Sequence, residues 1–327
     1  MHSISRRFLC LATAIVAVAV TGPVMAQAWP DRSITIIVPF PAGGGTDAFA
    51  RPLAAQLTKQ LGKQIVIDNR GGAGGTLGAG LAARATPDGY NFFIGGAHHA
   101  IAPSMYPKLD YDIVKDFVPV TVIAQPPQVV VVNASRTSAK TLQELIAEAK
   151  AKPGKMSYAS AGNGTSHHLA GELFKIMTKT EIAHVPYRGA GPAMQDLVGG
   201  QAVEMMFDGL GSSAAQIKAG RIKALAVAAS KRSPAFPDVP TAAEAGLAGY
   251  EVSTWYAMWA PKGTPAPIVE RMYKEVQAAL QSPELKEIWL NNGSDVPSMT
   301  SAQFATFLDA EIKRWAEVVK QSGAKLD

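Results

Sequence analysis

The chain is expected to fold as an α/β protein of two lobes, and three observations predict it. Short β-branched runs alternate with glycine-rich or polar turns and amphipathic stretches, the order of strand, turn and helix in α/β architecture. This series runs to about residue 150 and then begins again. The length of 327 residues corresponds to about two domains.

Residues 34–38 read as the first strand, and the turn over 39–45 leads into a helix at 46–61. There Phe49, Leu53, Leu57 and Leu61 recur every four residues and give the helix one apolar face. Pro52, in the second turn, should kink this helix or delay its start. A strand at 65–68 leads through the turn 71–75 into a helix at 76–84, and a strand at 92–94 ends in an exposed turn, Gly95-Gly96-Ala97-His98-His99. Residues 128–133 read as a buried strand, and Thr141-Leu142-Gln143-Glu144 is a capping box that opens a helix reaching Lys150. The second series has strands at 155–160, 182–186, 203–207 and 222–228. Its turns are 161–165, Tyr187-Arg188-Gly189, Asp208-Gly209 and Ala229-Ser230, with a helix at 166–177. From Thr241 the character changes to a strand at 255–260 and helices at 267–280, 284–291 and 301–320. Phe304, Leu308, Ile312, Trp315 and Val319 make the last helix core-facing. The expected organisation is lobe 1 at 29–125, lobe 2 at 126–248 and a tail at 249–327 returning to lobe 1.

Residues 1–28 read as a cleaved signal peptide. Arg6 and Arg7 precede the apolar run 8–20, and small-residue cleavage sites end at Ala26 and Ala28. The run falls short of the roughly 20 residues that a membrane span needs. Arg6-Arg7-Phe8-Leu9 approaches a twin-arginine signal without its usual spacer, so general secretion is the simpler expectation. Cys10 follows large residues where a lipoprotein signal wants small ones, and it is the only cysteine. The mature protein is therefore expected to be soluble and periplasmic, without disulfides or cysteine metal ligands. The net charge of +5 includes two arginines of the leader, too small an excess to argue for nucleic acid. No heptad or exposed apolar stripe calls for assembly, so a monomer is expected.

The chemistry-bearing motifs of common enzymes are missing or misplaced. Neither 43–47 nor 71–78 carries the lysine of a phosphate loop, and Gly78-Ala79-Gly80 falls inside an expected helix, away from a strand end. No Gly-x-Ser-x-Gly elbow exists. In His98-His99 and His167-His168 adjacent side chains diverge, so at most one of each pair shares a site, and no metal or cofactor is expected. One glycine turn carries little information. Several at strand ends of two lobes describe a cleft of backbone amides and hydroxyls with few charges, suited to holding a small anion.

The segments Ile36-Ile37-Val38-Pro39-Phe40-Pro41-Ala42-Gly43-Gly44-Gly45-Thr46-Asp47 and Asn69-Arg70-Gly71-Gly72-Ala73-Gly74-Gly75 resemble the opening of Bug-type receptors of the tripartite tricarboxylate transporters. In order there follow Tyr111-Asp112, Asp116-Phe117-Val118-Pro119-Val120, Tyr158-Ala159-Ser160-Ala161-Gly162-Asn163-Gly164-Thr165, His184-Val185-Pro186-Tyr187-Arg188-Gly189, Trp255-Tyr256 and Ala260-Pro261-Lys262-Gly263-Thr264-Pro265. The resemblance covers the mature chain. It implies a two-lobed type II periplasmic-binding-protein fold, the Venus flytrap, which captures a carboxylate and delivers it to membrane permease subunits. By matching positions it makes Phe40, Gly43, Gly44, Thr46, Asp47, Gly75 and Thr76 one wall of the site. Ser160, Gly162, Gly164, Thr165, His168, Tyr187 and Asp208 would face them. His98, with His99, stands where small hydroxyl residues are usual, and is counted as a ligand-end contact.

Asp47, at a helix start, is read as a scaffold that orients the loop's amides, with a direct ligand contact less favoured. Tyr187 is favoured over Arg188 as the contact. The ligand is expected to be a di- or tricarboxylate or an aromatic carboxylate. Two other classes of function stay open at this level: a loaded co-receptor for a membrane sensor kinase, and a secreted hydrolase using a histidine, which would turn its ligand over.

Overall fold

A computed structural model describes residues 29–324 and 326; the expected leader lies outside the described residues. The chain opens with β1 (Ile34–Val38), α1 (Gly45–Leu61), β2 (Ile65–Asn69), a 3₁₀ turn at Ala73–Gly75, α2 (Thr76–Ala83), β3 (Asn91–Gly96), α3 (Ala97–Met105) and β4 (Phe117–Ala124). It continues with β5 (Gln128–Val132), α4 (Leu142–Ala151), β6 (Met156–Ser160), α5 (Ser166–Thr178), β7 (Ile182–Pro186), α6 (Ala190–Gly199), β8 (Met205–Gly209), α7 (Leu210–Lys218) and β9 (Lys223–Val227). It ends with β10 (Tyr256–Pro261), α8 (Ala266–Gln281), α9 (Pro283–Asn291) and α10 (Ser301–Ser322). Among the described residues no helix is long and apolar enough to cross a membrane.

Two five-stranded sheets carry these elements. The first runs β2-β1-β3-β10-β4, with β1, β2 and β3 parallel and β10 antiparallel between β3 and β4. The second runs β7-β6-β8-β5-β9, with β5 antiparallel to β8 and β9. Both are mixed sheets covered by helices, so strands such as β5 (Gln128–Val132) are buried along their full length, as a run of valines requires.

The chain crosses between sheets twice, at 125–127 and at 250–255, and the two crossings hydrogen-bond to each other. Gln128 N–H donates to Val252 O (3.0 Å), Thr254 N–H to Pro126 O (3.2 Å), and Pro127 bridges Ser253. Helix α10 pins this ribbon. Trp255 Nε1 and Trp315 Nε1 both donate to Glu311 Oε2, at 2.8 and 3.0 Å, while Arg314 pairs with the other carboxylate oxygen. The same helix packs on α3, β4 and α5, against an aromatic cluster of Trp255, Trp259 and Phe304.

Two expectations need correction here. Helix α1 is not delayed by Pro52: it begins at Gly45, and Pro52 lies inside it. Ala48, whose carbonyl the proline leaves unpaired, is only half-buried, as is Pro52, so water can reach the gap. The stretch 97–99 is no exposed turn. Helix α3 starts at Ala97, whose N–H donates to Trp255 O, and both His98 and His99 are buried. His99 Nδ1 meets Tyr111 Oη at 2.9 Å and its ring packs on Phe93. The partner that organises this start comes from the second crossing, remote in sequence.

Candidate ligand-binding cleft

In both sheets the loops after the parallel strands face one cleft. On the first side Asp47 anchors the loop after β1: its carboxylate accepts from Gly43 N (3.0 Å), Arg51 Nε (2.7 Å) and Asn69 Nδ2 (3.2 Å). Asn69 also donates to Phe40 O (2.8 Å), so strand ends β1 and β2 are tied together. Gly43 has φ +86°, a left-handed turn that favours glycine, whereas Gly44 has ordinary extended angles. Gly75 lets the Phe40 and His98 rings close over it, since an added Cβ would lie 3.0 and 3.2 Å from them.

On the second side Ser160 Oγ accepts from Gly162 N (3.0 Å) and meets His184 Nε2 at 2.6 Å. Thr165 Oγ1 donates to Gly162 O (2.7 Å) and caps α5 by accepting from His168 N. His168 Nδ1 accepts from Gly164 N (3.2 Å), and its ring stacks on His184. Asp208, wholly buried, accepts from Ser212 and Ser213 through Oδ2 and lies 3.4 Å from His167 Nε2 through Oδ1.

The jaws are shut. Tyr106 Oη donates across the cleft to Asn163 O (2.9 Å), and Gly191 lies so close to the 42–44 loop that a Cβ there would be 2.8 Å from Ala42 O. Two adjoining chambers remain, both bounded by Phe40 and Ala161. The mouth chamber, about 360 Å³, is lined by Gly72, Ala73, Gly74, Tyr106, Gly162, Asn163, Pro186, Tyr187, Arg188 and Leu326. The inner chamber, about 20 Å³, is lined by Gly44, Gly45, Thr46, His98, Thr165, Ser166, His167, Ala190, Thr254 and Tyr256.

Four helices begin on the inner chamber: α1 at Gly45, α3 at Ala97, α5 at Ser166 and α6 at Ala190. Each helix start brings the positive end of its dipole and first-turn N–H groups without a helical partner, of which Ala97 N–H is taken by Trp255 O and His168 N–H by the Thr165 cap. No lysine or arginine is among the described residues that line this chamber. Burial holds His98 well below its ordinary pKa, with His99 and then His167 adding to the effect. Burial lowers His167 too, against the pull of Asp208, and raises the Tyr256 phenol, with Asp208 adding to it.

Of the residues named from sequence, Gly44, Thr46, His98 and Thr165 line the inner chamber, Gly162 and Tyr187 the mouth, and Phe40 both. Asp47, Gly75, Ser160, Gly164 and Asp208 stand behind the lining and hold it, and Gly43 is exposed at the loop tip that Asp47 anchors. Thr76 turns its hydroxyl to Ala73 O. His168 lines neither chamber, and His167, passed over in the sequence, lines the inner one. The signal was present: Thr165 caps the helix, and the residue three positions on folds back to Gly164 N–H, one residue before the cap, in a variant of the capping box. That spacing commits His168 to the loop. Tyr187, whose hydroxyl donates to Asp196 (2.6 Å), contributes its ring to the mouth. Thr254, from the second crossing, carried no local signal, and Tyr256, at the start of β10, stood in a matched segment without being named as a contact.

A family model for the tripartite tricarboxylate transporter family receptor matches residues 49–324. The chain is 38% identical over 314 residues to the protein BugT of Bordetella pertussis, covering 95% of this chain and 96% of that one. Among solved structures, the periplasmic binding protein BugD is 36% identical with a TM-score of 0.87, covering 91% of this chain and 99% of that one. Rpa4515 of R. palustris, solved with adipate, is 38% identical with a TM-score of 0.88, covering 91% and 99%. MatC of Rhodopseudomonas palustris, solved with malate, is 37% identical with a TM-score of 0.84, covering 89% and 100%.

Proposed function

Because the chain belongs to the receptor family of the tripartite tricarboxylate transporters, we propose that it is a periplasmic receptor that closes on a small carboxylate and presents it to membrane permease subunits. The observation that carries this reading is the convergence of four helix N-termini on a chamber without lysine or arginine. Helix starts bind anions through free N–H groups and the dipole. A carboxylate offers two oxygens with lone pairs to meet them.

One oxygen of the ligand's inner carboxylate enters the inner chamber, and the remaining part fills the mouth chamber against Phe40, Tyr106 and Tyr187. The mouth volume of about 360 Å³ is in the range of small-molecule sites. With neighbours solved with malate and adipate, an aliphatic dicarboxylate is the first class to test, and Arg188 at the exposed rim is the side chain that would meet its outer end. The lobes are taken as 29–125 and 126–248, with 249–327 returning to the first, and the paired crossings as the hinge. Ligand is bound and released unchanged.

A thermal-shift screen over malate, succinate, adipate, citrate and benzoate, followed by calorimetry on the hits, tests the reading. A ligand at 100 times its Kd should stabilise by about 2.7 kcal/mol. Absence of a shift with every acid, at concentrations up to millimolar, would refute it.

A further inference from the structure

We propose that His98 and His167 form the subsite for the ligand's inner carboxylate, and that the carboxylate is bound there together with one proton taken from solvent. The inference rests on the receptor reading above and deepens it.

The two histidines come from opposite lobes and bound the same small chamber. They are 5% and 6% exposed, and His98 Nε2 and His167 Nδ1 have no hydrogen-bonding partner. Buried polar atoms left unpaired are costly, so two of them on one chamber are groups for a ligand to satisfy. A volume of about 20 Å³ takes one oxygen-sized group.

Asp208 dictates the proton. With its Oδ2 occupied by two serine hydroxyls, Oδ1 has no hydrogen-bond partner and lies 3.4 Å from His167 Nε2, so the carboxylate favours the neutral ring with its hydrogen on Nε2. His167 Nδ1 is left as a bare lone pair, which repels a carboxylate oxygen. Adding a proton converts Nδ1 into a donor toward the chamber and leaves Nε2–H on Asp208. It also separates two buried carboxylates, Asp208 and the ligand, by a cation. The titratable groups around the pair are Asp208 on β8, Tyr256 on β10, and His99 beside His98 with their rings 4.1 Å apart; His99 is bonded in turn to Tyr111. His168 and Glu172 share a helix with His167, and His168 is turned to the 164 loop. Among the described residues lining the chamber, an imidazolium is the one side-chain cation available. Burial lowers the pKa of both rings in the shut cleft, and a histidine open to water is mostly neutral above its ordinary value of about 6.5, so above that pH the proton arrives with the ligand.

The experiment is calorimetry with malate, succinate, adipate, citrate and benzoate in two buffers of different ionisation enthalpy at pH values around neutral. Expected is an uptake approaching one proton per ligand bound near pH 8, with Kd falling nearly tenfold per unit of pH from about 8 to about 7 and less steeply below, where a histidine open to water takes up its own proton. His167→Gln should abolish the uptake and flatten that dependence, and His98→Gln should weaken binding and reduce the uptake; melting of each empty variant reports whether it folds. The wild-type result stands even if neither variant does. Binding with no net proton uptake would overturn this proposal and leave the receptor intact. Failure of all five acids to bind would overturn both.

Discussion

Gly191 separates closure from stability in one substitution. It lies in helix α6 with ordinary helical angles, so alanine suits the empty protein and should stabilise that helix by up to about 1 kcal/mol. In the closed state the new Cβ would be 2.8 Å from Ala42 O and 3.4 Å from Gly43 C, backbone atoms that cannot rotate away. Restoring an ordinary contact of 3.4 Å requires the jaws to part by roughly half an ångström at that point. An anion spanning α1 and α6 then loses at least one charge-assisted hydrogen bond, about 1.5 to 3 kcal/mol. The Kd should rise roughly 10- to 150-fold. Calorimetry with the tightest-binding carboxylate, beside the melting temperature of the empty variant, makes the measurement. Gly199→Ala, at the far end of the same helix, is the control, because its Cβ would meet only Gln201 Cγ at 3.5 Å and it lines neither chamber. An unchanged Kd for Gly191→Ala, with the empty protein as stable as wild type, would refute the idea that this contact belongs to the bound state.

Asp47→Asn should cost about 1 to 3 kcal/mol in urea unfolding, because the amide cannot accept from Gly43, Asn69 and Arg51 together. Glu311→Ala should lower stability by a similar amount or more, leaving the Trp255 and Trp315 indole N–H groups unpaired. Ligand should reduce the radius of gyration in small-angle scattering if the empty protein opens, while Trp255, 1% exposed, keeps its emission; an unchanged radius at saturation would argue against a flytrap. Acid should weaken the fold through His99 and His184. Burial brings each from 6.5 down to about 3, so the unfolded chain binds their protons first, and stability should fall as pH drops below about 6.5 toward 3. Urea midpoints between pH 7 and 4 that stay constant would contradict this, and the proposed proton uptake on binding runs the opposite way.

What was legible in the sequence was whatever a few neighbouring residues decide. The four-residue spacing of Phe49, Leu53 and Leu57 marked α1, and Thr141 capping Glu144 N–H marked the start of α4. Helix α6 went unmarked because Gly191 and Pro192 near its start read as loop; it forms against β6 and α7. Strand β4 was hidden by Pro119, which an edge strand with a shifted register tolerates. At the cleft, the glycine turns were readable as turns, but Thr254 and Tyr256 reach the inner chamber by tertiary contact alone.

The placement of β10 sets the order in which the molecule can be made. As a ribosome extends the chain, β3 and β4 are complete long before residue 256, yet the strand that belongs between them lies roughly 130 residues beyond β4. Until it arrives, both present unsatisfied backbone edges, which invite pairing with other chains. The second sheet, by contrast, draws all its strands from 128–227 and can be assembled first. Synthesis stopped short of residue 256 would therefore leave the earlier-made sheet divided and prone to aggregate, with a later-made sheet already whole.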